Sequence, residues 1–163
     1  MKTIHIIIAG ALSIWLSNGA LADQAAKIQP SIELVSAGKT LVLTPQSLAD
    51  LPPVEQDVTF KTSKGVSTGH YKGPLLWDVV KASKALAGLD HNKELAKTLM
   101  VTASDGYQIA YSIGEIAPEF GNATILVALE TDGQPMKDGL RIVAQGDKRG
   151  ARAIHNVVKI ELR

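Results

Sequence analysis

Three stretches of the chain carry side chains able to do chemistry. The first, FKTSKGVSTGHYKG (60–73), strings the hydroxyls of Thr62, Ser63, Ser67 and Thr68 between glycines and ends in His70 and Tyr71. Small hydroxyl and glycine residues let a backbone come close to a ligand and offer it donors. The same residue types also build a wide surface loop, so a loop and the lip of a pocket are both open at this point. The second, SDGY (104–107), is first a hairpin turn, but Ser104, Asp105 and Tyr107 put hydroxyl, carboxylate and ring at a strand end, a common pocket edge. The third, GDKRGARAIHN (146–156), holds Lys148, Arg149 and Arg152 among glycines. Arginine's rigid fork and glycine's exposed N–H groups can cradle an anion or a planar polar ring; a solvated basic turn is the plainer outcome.

Much other chemistry has no support. The chain has four histidines and no cysteine, so neither a disulfide framework nor a thiolate ligand or nucleophile is available. No HExxH occurs, and zinc chemistry lacks its spacing signature. No nucleophile elbow singles out a serine for a hydrolase. His91 opens a charged helix and reads as solvated. A net charge of +1 gives no reason to expect nucleic acid.

The N-terminus bounds the compartment. Residues 1–22, MKTIHIIIAGALSIWLSNGALA, have a basic start, a short apolar run and a small-x-small ending, the pattern of a cleaved export signal. The remainder, residues 23–163, is one domain's worth, long enough to bury a core without staples.

The elements that must position these stretches alternate in type. SIELVS (31–36) and KTLVLT (39–44) read as strands. Thr44-Pro45 opens a helical turn that Pro52-Pro53 stops. VEQDVTFKT (54–62) alternates at Val54, Gln56, Val58 and Phe60 as a half-buried strand. Pro74 predicts the first turn of a helix running to Gly88, with Trp77 beside its apolar stripe and partly buried. Asp90 caps a short helix, and TLMVTAS and YQIAYS flank the Asp105-Gly106 turn. Ser112 and Glu115 stand at capping-box spacing, which already accounts for Glu115. TILVALET and GLRIVAQG are strands around Asp132-Gly133, and Ile154, Val158, Ile160 and Leu162 keep a strand period to the end. The class is α+β, one domain with a mixed sheet.

Taken in order, VSTGHYKGPLLWDVV, DGYQIAYSIGEI, ILVALETDGQPM and GLRIVAQGDKRGARAIHNVVKIEL resemble the molybdopterin-binding domain of the sulfite oxidase family, from about Val54 to Arg163. The resemblance implies a pterin-holding α+β domain. In the family's enzymes a cysteine after the early strand ligates molybdenum; the matching place here is Thr62, to within a residue or two, and a neutral hydroxyl cannot replace a soft thiolate. The GDKRGAR block matches the part of the family that contacts the cofactor's phosphate and pterin. His155 stands where the enzymes often have lysine, which points to a ligand without the molybdopterin phosphate.

These traits are similar to a cysteine-free periplasmic branch of small pterin-binding proteins that sense free pterins and signal to membrane enzymes of cyclic di-GMP metabolism. The expectation is therefore a non-catalytic periplasmic pterin sensor with no metal. Asp105 would accept from the pterin amino edge, and Tyr71 and Tyr107 would stack on it. Arg149 and Arg152 would donate to it, and Thr62, Ser63, His70 and Ser104 would line the mouth. Arg152→Ala is expected to abolish pterin retention and leave the fold intact. The rival expectation is a small molybdopterin-dependent oxidoreductase without the cysteine ligand.

Overall fold

The computed structural model describes residues 30–163; the expected export signal, residues 1–22, and the expected domain start at Asp23 lie outside the described residues. β1 (Ile32–Ser36) and β2 (Lys39–Leu43) form a hairpin through Ala37 and Gly38, both at positive φ. Thr44 caps α1 (Pro45–Ala49): its hydroxyl accepts from Ser47 N–H, and the Ser47 hydroxyl accepts in return from Thr44 N–H. Proline at the first helical position completes the start expected from the sequence.

β3 (Pro53–Thr62) and β4 (Gly65–Pro74) pair antiparallel over their full length, from Pro53 opposite Pro74 to Thr62 opposite Gly65. Of the two readings left open for 60–73, a wide loop is thereby excluded. Only Ser63 and Lys64 turn; Thr68 and His70 lie on the outward half of a strand whose inward half is Ser67, Gly69, Tyr71 and Gly73. Alternation explains both sides, since strand side chains face opposite ways in turn. β3 keeps its expected pattern, with Gln56, Val58 and Phe60 buried.

Pro74 closes β4 rather than opening the helix. α2 (Leu76–Ala82) starts two residues later, buries Leu76, Val79 and Val80, and stops at Ser83 rather than near Gly88. Leu86 is buried from the following turns. Asp90 caps α3 (His91–Leu95), accepting from Lys93 N–H at 2.9 Å. β5 (Thr98–Ala103) and β6 (Gln108–Ser112) pair across the Asp105-Gly106 turn, and Ser112 caps α4 (Ile113–Ile116).

β7 (Ile125–Ala128) pairs with β10 (Arg141–Ala144). Asp132-Gly133 does not join these two. It turns between the short β8 (Glu130–Thr131) and β9 (Gln134–Pro135). β11 (Val157–Leu162) carries an irregularity between Val157 and Lys159. That bulge turns Val157 inward and leaves Val158 41% exposed, where an unbroken period of two had placed Val158 inside. One extra residue in a strand resets which face follows.

The sheets run β2-β1-β11-β5-β6 and β3-β4-β8-β9, with the β7–β10 ribbon between two cores. Ile125, Val127, Ile142 and Ala144 face the larger core; Leu126, Ala128 and Val143 face the smaller one with Val58, Phe60 and Tyr71. A strand buried on both sides reads as a continuous apolar run, which is why ILVA shows no alternation. β4 reaches this ribbon closely enough that a Cβ on Gly73 would collide with the Val127 carbonyl. The result is a mixed-sheet α+β domain, as the sequence predicts.

Candidate functional site

The segment after β10, residues 145–156, carries most of the candidate chemistry and is held at several points. Its C-terminal end is fixed by Ile142 N–H to Ile154 C=O (2.8 Å), Val157 N–H to Leu140 C=O (3.0 Å) and Ser104 N–H to Asn156 C=O (2.8 Å). In its middle, Lys61 N–H donates to Lys148 C=O at 3.0 Å, while the hydroxyls of Tyr107 and Tyr111 donate to the carbonyls of Ala151 and Arg152, both at 3.0 Å. Gly150 begins a 3₁₀ turn, Gly150–Arg152, against the Phe60 ring. A Cβ there would lie 2.7 Å from that ring, so glycine is required for the turn to sit on β3.

Of the clefts that border this segment, three share residues of it with one another. The first, of 570 Å³, is bounded by Lys61, Thr62, Ser63 and Arg149 and floored by Gly150 and Ala151. A smaller one, of 170 Å³, uses Gly150 and Ala151 again from the other side, with Asp105, Tyr107 and His155. The third and largest, of 690 Å³, shares His155 and adds Asn156, Arg141, Lys137, Asp138 and Asp132. Neighbouring clefts share walls, so the three form a belt of adjacent, separately bounded sites along the segment.

The belt brings together Thr62, Ser63 and Arg149 on one side of the 3₁₀ turn and Asp105 and Tyr107 on the other. Thr62 also serves its own turn, accepting from Lys64 N–H and donating to Gly65 C=O. One Asp105 carboxylate oxygen accepts from Tyr107 N–H at 2.9 Å, which leaves the other oxygen for a ligand. Tyr107 is 48% exposed. Ser104 is exposed beside them. Lys61, Lys148 and Arg149 form no ion pair among the described residues, and all three border a 430 Å³ cleft beside Phe60 and Val66.

The other expected residues are placed differently. Tyr71 is buried, and its ring fills the space over Gly69; it offers no open face for stacking. His70 lies on the outward face of β4, its Nδ1 2.8 Å from Asp57 and its Nε2 3.5 Å from Glu55. The hydrogen bond to Asp57, then that to Glu55, raises its pKa above the ordinary imidazole value. Its backbone N–H reaches Asp132 Oδ1 at 2.9 Å, so only the main chain of His70 touches the edge of the third cleft.

Arg152 has protein partners. Asp147 accepts from Nε (3.0 Å) and Nη2 (2.9 Å), Glu115 accepts from Nη1 (2.7 Å), and the guanidinium lies 5.0 Å from the Tyr111 ring centroid. Asp147 first and Glu115 second hold its pKa above the ordinary arginine value, and burial pushes that of Tyr111 up. Ser112 does cap Glu115 N–H, but the Glu115 carboxylate goes to Arg152. Capping-box spacing accounted for the backbone half of this arrangement and hid the side-chain half.

Sequence reasoning missed Arg141. Its Nη1 donates to the Tyr71 hydroxyl at 2.9 Å and its guanidinium lies 5.8 Å from the Tyr71 ring centroid. Its Nε is buried without a partner, and no carboxylate pairs with it among the described residues. A half-buried cation without a counter-charge is costly, and an unsatisfied buried donor calls for an explanation. The one sequence signal was a lone arginine heading the apolar run RIVA.

A solved structure shares this fold. The sulfane dehydrogenase SoxCD from Paracoccus pantotrophus superposes with a TM-score of 0.63 at 14% identity, covering 82% of this chain. This chain spans only 38% of that protein's length. No protein-family model and no curated protein matches the sequence. The likeness is one of architecture.

Proposed function

We propose that this chain is a non-catalytic pterin-binding protein of the periplasm, reporting free pterins to a membrane enzyme of cyclic di-GMP metabolism. The observation that carries the reading is Arg141: a half-buried guanidinium on the wall of the 690 Å³ cleft, with no carboxylate partner among the described residues. The belt's donor set suits a pterin. Asp105 keeps a carboxylate oxygen for the 2-amino edge, the exposed Tyr107 ring offers a flat face, and Arg141 and Arg149 supply forks for oxo or side-chain oxygens. The sequence blocks that resemble the sulfite oxidase family's pterin domain support the same ligand class.

The residues that would hold the pterin are Thr62, Ser63 and Arg149 at one end, Asp105 and Tyr107 in the middle, and Arg141 with His155 at the other. The chemistry a molybdenum-bearing form would supply is oxygen-atom or electron transfer at the metal. No thiolate stands at Thr62 to hold such a centre.

The test is mass spectrometry of small molecules released from protein purified from a periplasm, with elemental analysis alongside. A released pterin without molybdenum is expected, together with a thermal upshift on adding pterins to the emptied protein. Arg141→Met should lose that upshift. Stoichiometric molybdenum would instead establish the oxidoreductase reading. For the relay, the periplasmic domain of the membrane enzyme should co-purify in a pterin-dependent manner; capture indifferent to pterin would refute that part.

A further inference from the structure

β2 is the outer strand of the five-stranded sheet, and both of its faces are open. Leu41 stands opposite Leu34 on the core side, yet is 46% exposed; Val42, opposite Glu33 on the other side, is 55% exposed. Only Leu43 is buried. Two adjacent apolar residues left open on opposite faces mean that the strand extends beyond what the core covers. The edge carries one charge, Lys39 at its beginning, and neither proline nor bulge. Natural sheets normally blunt such an edge.

The backbone of this edge has a definite pattern. The turn at Ala37-Gly38, both residues at positive φ, is the two-residue hairpin kind whose flanking residues form a hydrogen-bonded pair. Alternation from Ser36 opposite Lys39 makes Leu41 opposite Leu34 hydrogen-bonded as well. The N–H and C=O groups of Thr40 and Val42 therefore point away from β1, and they have no other partner among the described residues.

We propose that β2 pairs antiparallel with β2 of a second copy of this chain, on a two-fold axis through Leu41. That register sets Thr40 against the partner's Val42 and Val42 against the partner's Thr40, so all four outward groups on each strand are used. Shifting the axis to Thr40 brings the turn into the pairing, and shifting it to Val42 brings in Thr44, whose N–H already serves Ser47. The chosen register meets Leu41 with Leu41 and sets Lys39 beside the partner's apolar Leu43. The two lysines then stand four residues apart along the strands, roughly 14 Å, beyond the screening length of about 8 Å at physiological salt. The edge is self-complementary in hydrogen bonding and in its apolar Leu41 contact, and this register keeps the like charges apart, which selects a second copy as occupant.

The experiment uses the full mature protein. Sedimentation equilibrium should show an average mass rising toward twice the monomer value with concentration. Thr40→Pro removes an N–H that faces only the partner, a substitution outer strands accept, and should lose that rise. Val42→Lys, which puts like charges beside the axis, is the second variant and should do the same. Because the chain has no cysteine, Leu41→Cys gives a clean crosslink. Directly opposed residues of a non-hydrogen-bonded pair lie about 4.5 Å apart at Cα, within disulfide reach. Oxidation should crosslink Leu41→Cys at least tenfold faster than Val66→Cys, a more exposed site at 68%. Equal crosslinking rates, a monomer at every concentration, or a dimer that survives both edge variants would each overturn the proposal.

Discussion

Arg152→Ala separates two roles that the sequence left merged. If Arg152 chiefly grips a ligand, its loss empties the pocket and spares the fold. The geometry predicts a different balance. Removing the side chain deletes three charge-assisted hydrogen bonds, at 2.7, 2.9 and 3.0 Å, and strips Asp147 and Glu115, with side chains only 22% and 29% exposed, of their shared counter-ion. Fully buried pairs broken from one side cost about 3–5 kcal/mol, and exposed ones about 0–1 kcal/mol. With Arg152 itself 35% exposed, the loss falls between, at about 2 kcal/mol, which for a domain of this size lowers Tm by roughly 8 °C. Thermal and urea melts of the ligand-free protein measure it. Arg152→Lys should recover little, because an ammonium cannot satisfy both Asp147 oxygens as the fork does. In a double-mutant cycle, Arg152→Ala with Glu115→Gln should cost less than the sum of the singles. An unchanged Tm for Arg152→Ala, with ligand retention abolished, would refute this reasoning and restore the direct-contact role.

Other perturbations follow from the same coordinates. Gly73→Ala should prevent folding or cost several kcal/mol, because its Cβ meets the rigid Val127 carbonyl rather than a movable side chain; soluble yield and melting report it. Gln56 is 6% exposed with neither amide atom bonded, so Gln56→Leu should be neutral or stabilising by about 1 kcal/mol in urea melts, and a clear loss would mean the amide has a partner. The folded-state pKa of His70 is raised by Asp57 and Glu55. Its contribution to stability is therefore fully present below the ordinary imidazole value of 6.5 and lost as pH rises through the raised value. His70→Gln should destabilise more at pH 5.5 than at pH 8.5, and an NMR titration of wild-type His70 should show a midpoint above 6.5; a lower midpoint would contradict the Asp57 contact.

Legibility in the sequence followed the range of the interaction. Caps and tight turns are local: Thr44 with Ser47, Asp90 with Lys93, and Asp105-Gly106 were readable because partners lie within a few residues. The β3–β4 hairpin was half readable. β3 alternates plainly, but the inward residues of β4 include Gly69 and Gly73, which carry no apolar signal and read as loop. The site was less readable still. Glu115 lies 37 residues from Arg152, and Arg141 lies 70 from Tyr71, so only the folded sheet order joins them. Local rules even misdirected: the spacing of Ser112 and Glu115 explained the residue too early, and a period of two ran straight through the bulge at Val157.

The tethering of residues 145–156 bears on how quickly a ligand could be recorded. Two tyrosine hydroxyls, the Lys61 backbone and three further main-chain bonds hold that segment from both flanks. The protein's own bonds hold its arrangement, so on the proposed reading a guest would meet a segment that it does not have to order. Arrival then needs no slow rearrangement and can run at ordinary encounter rates. On the proposed reading, occupancy would be reported through the ligand's own atoms at the rim, and a downstream receptor would read a filled surface rather than a refolded loop.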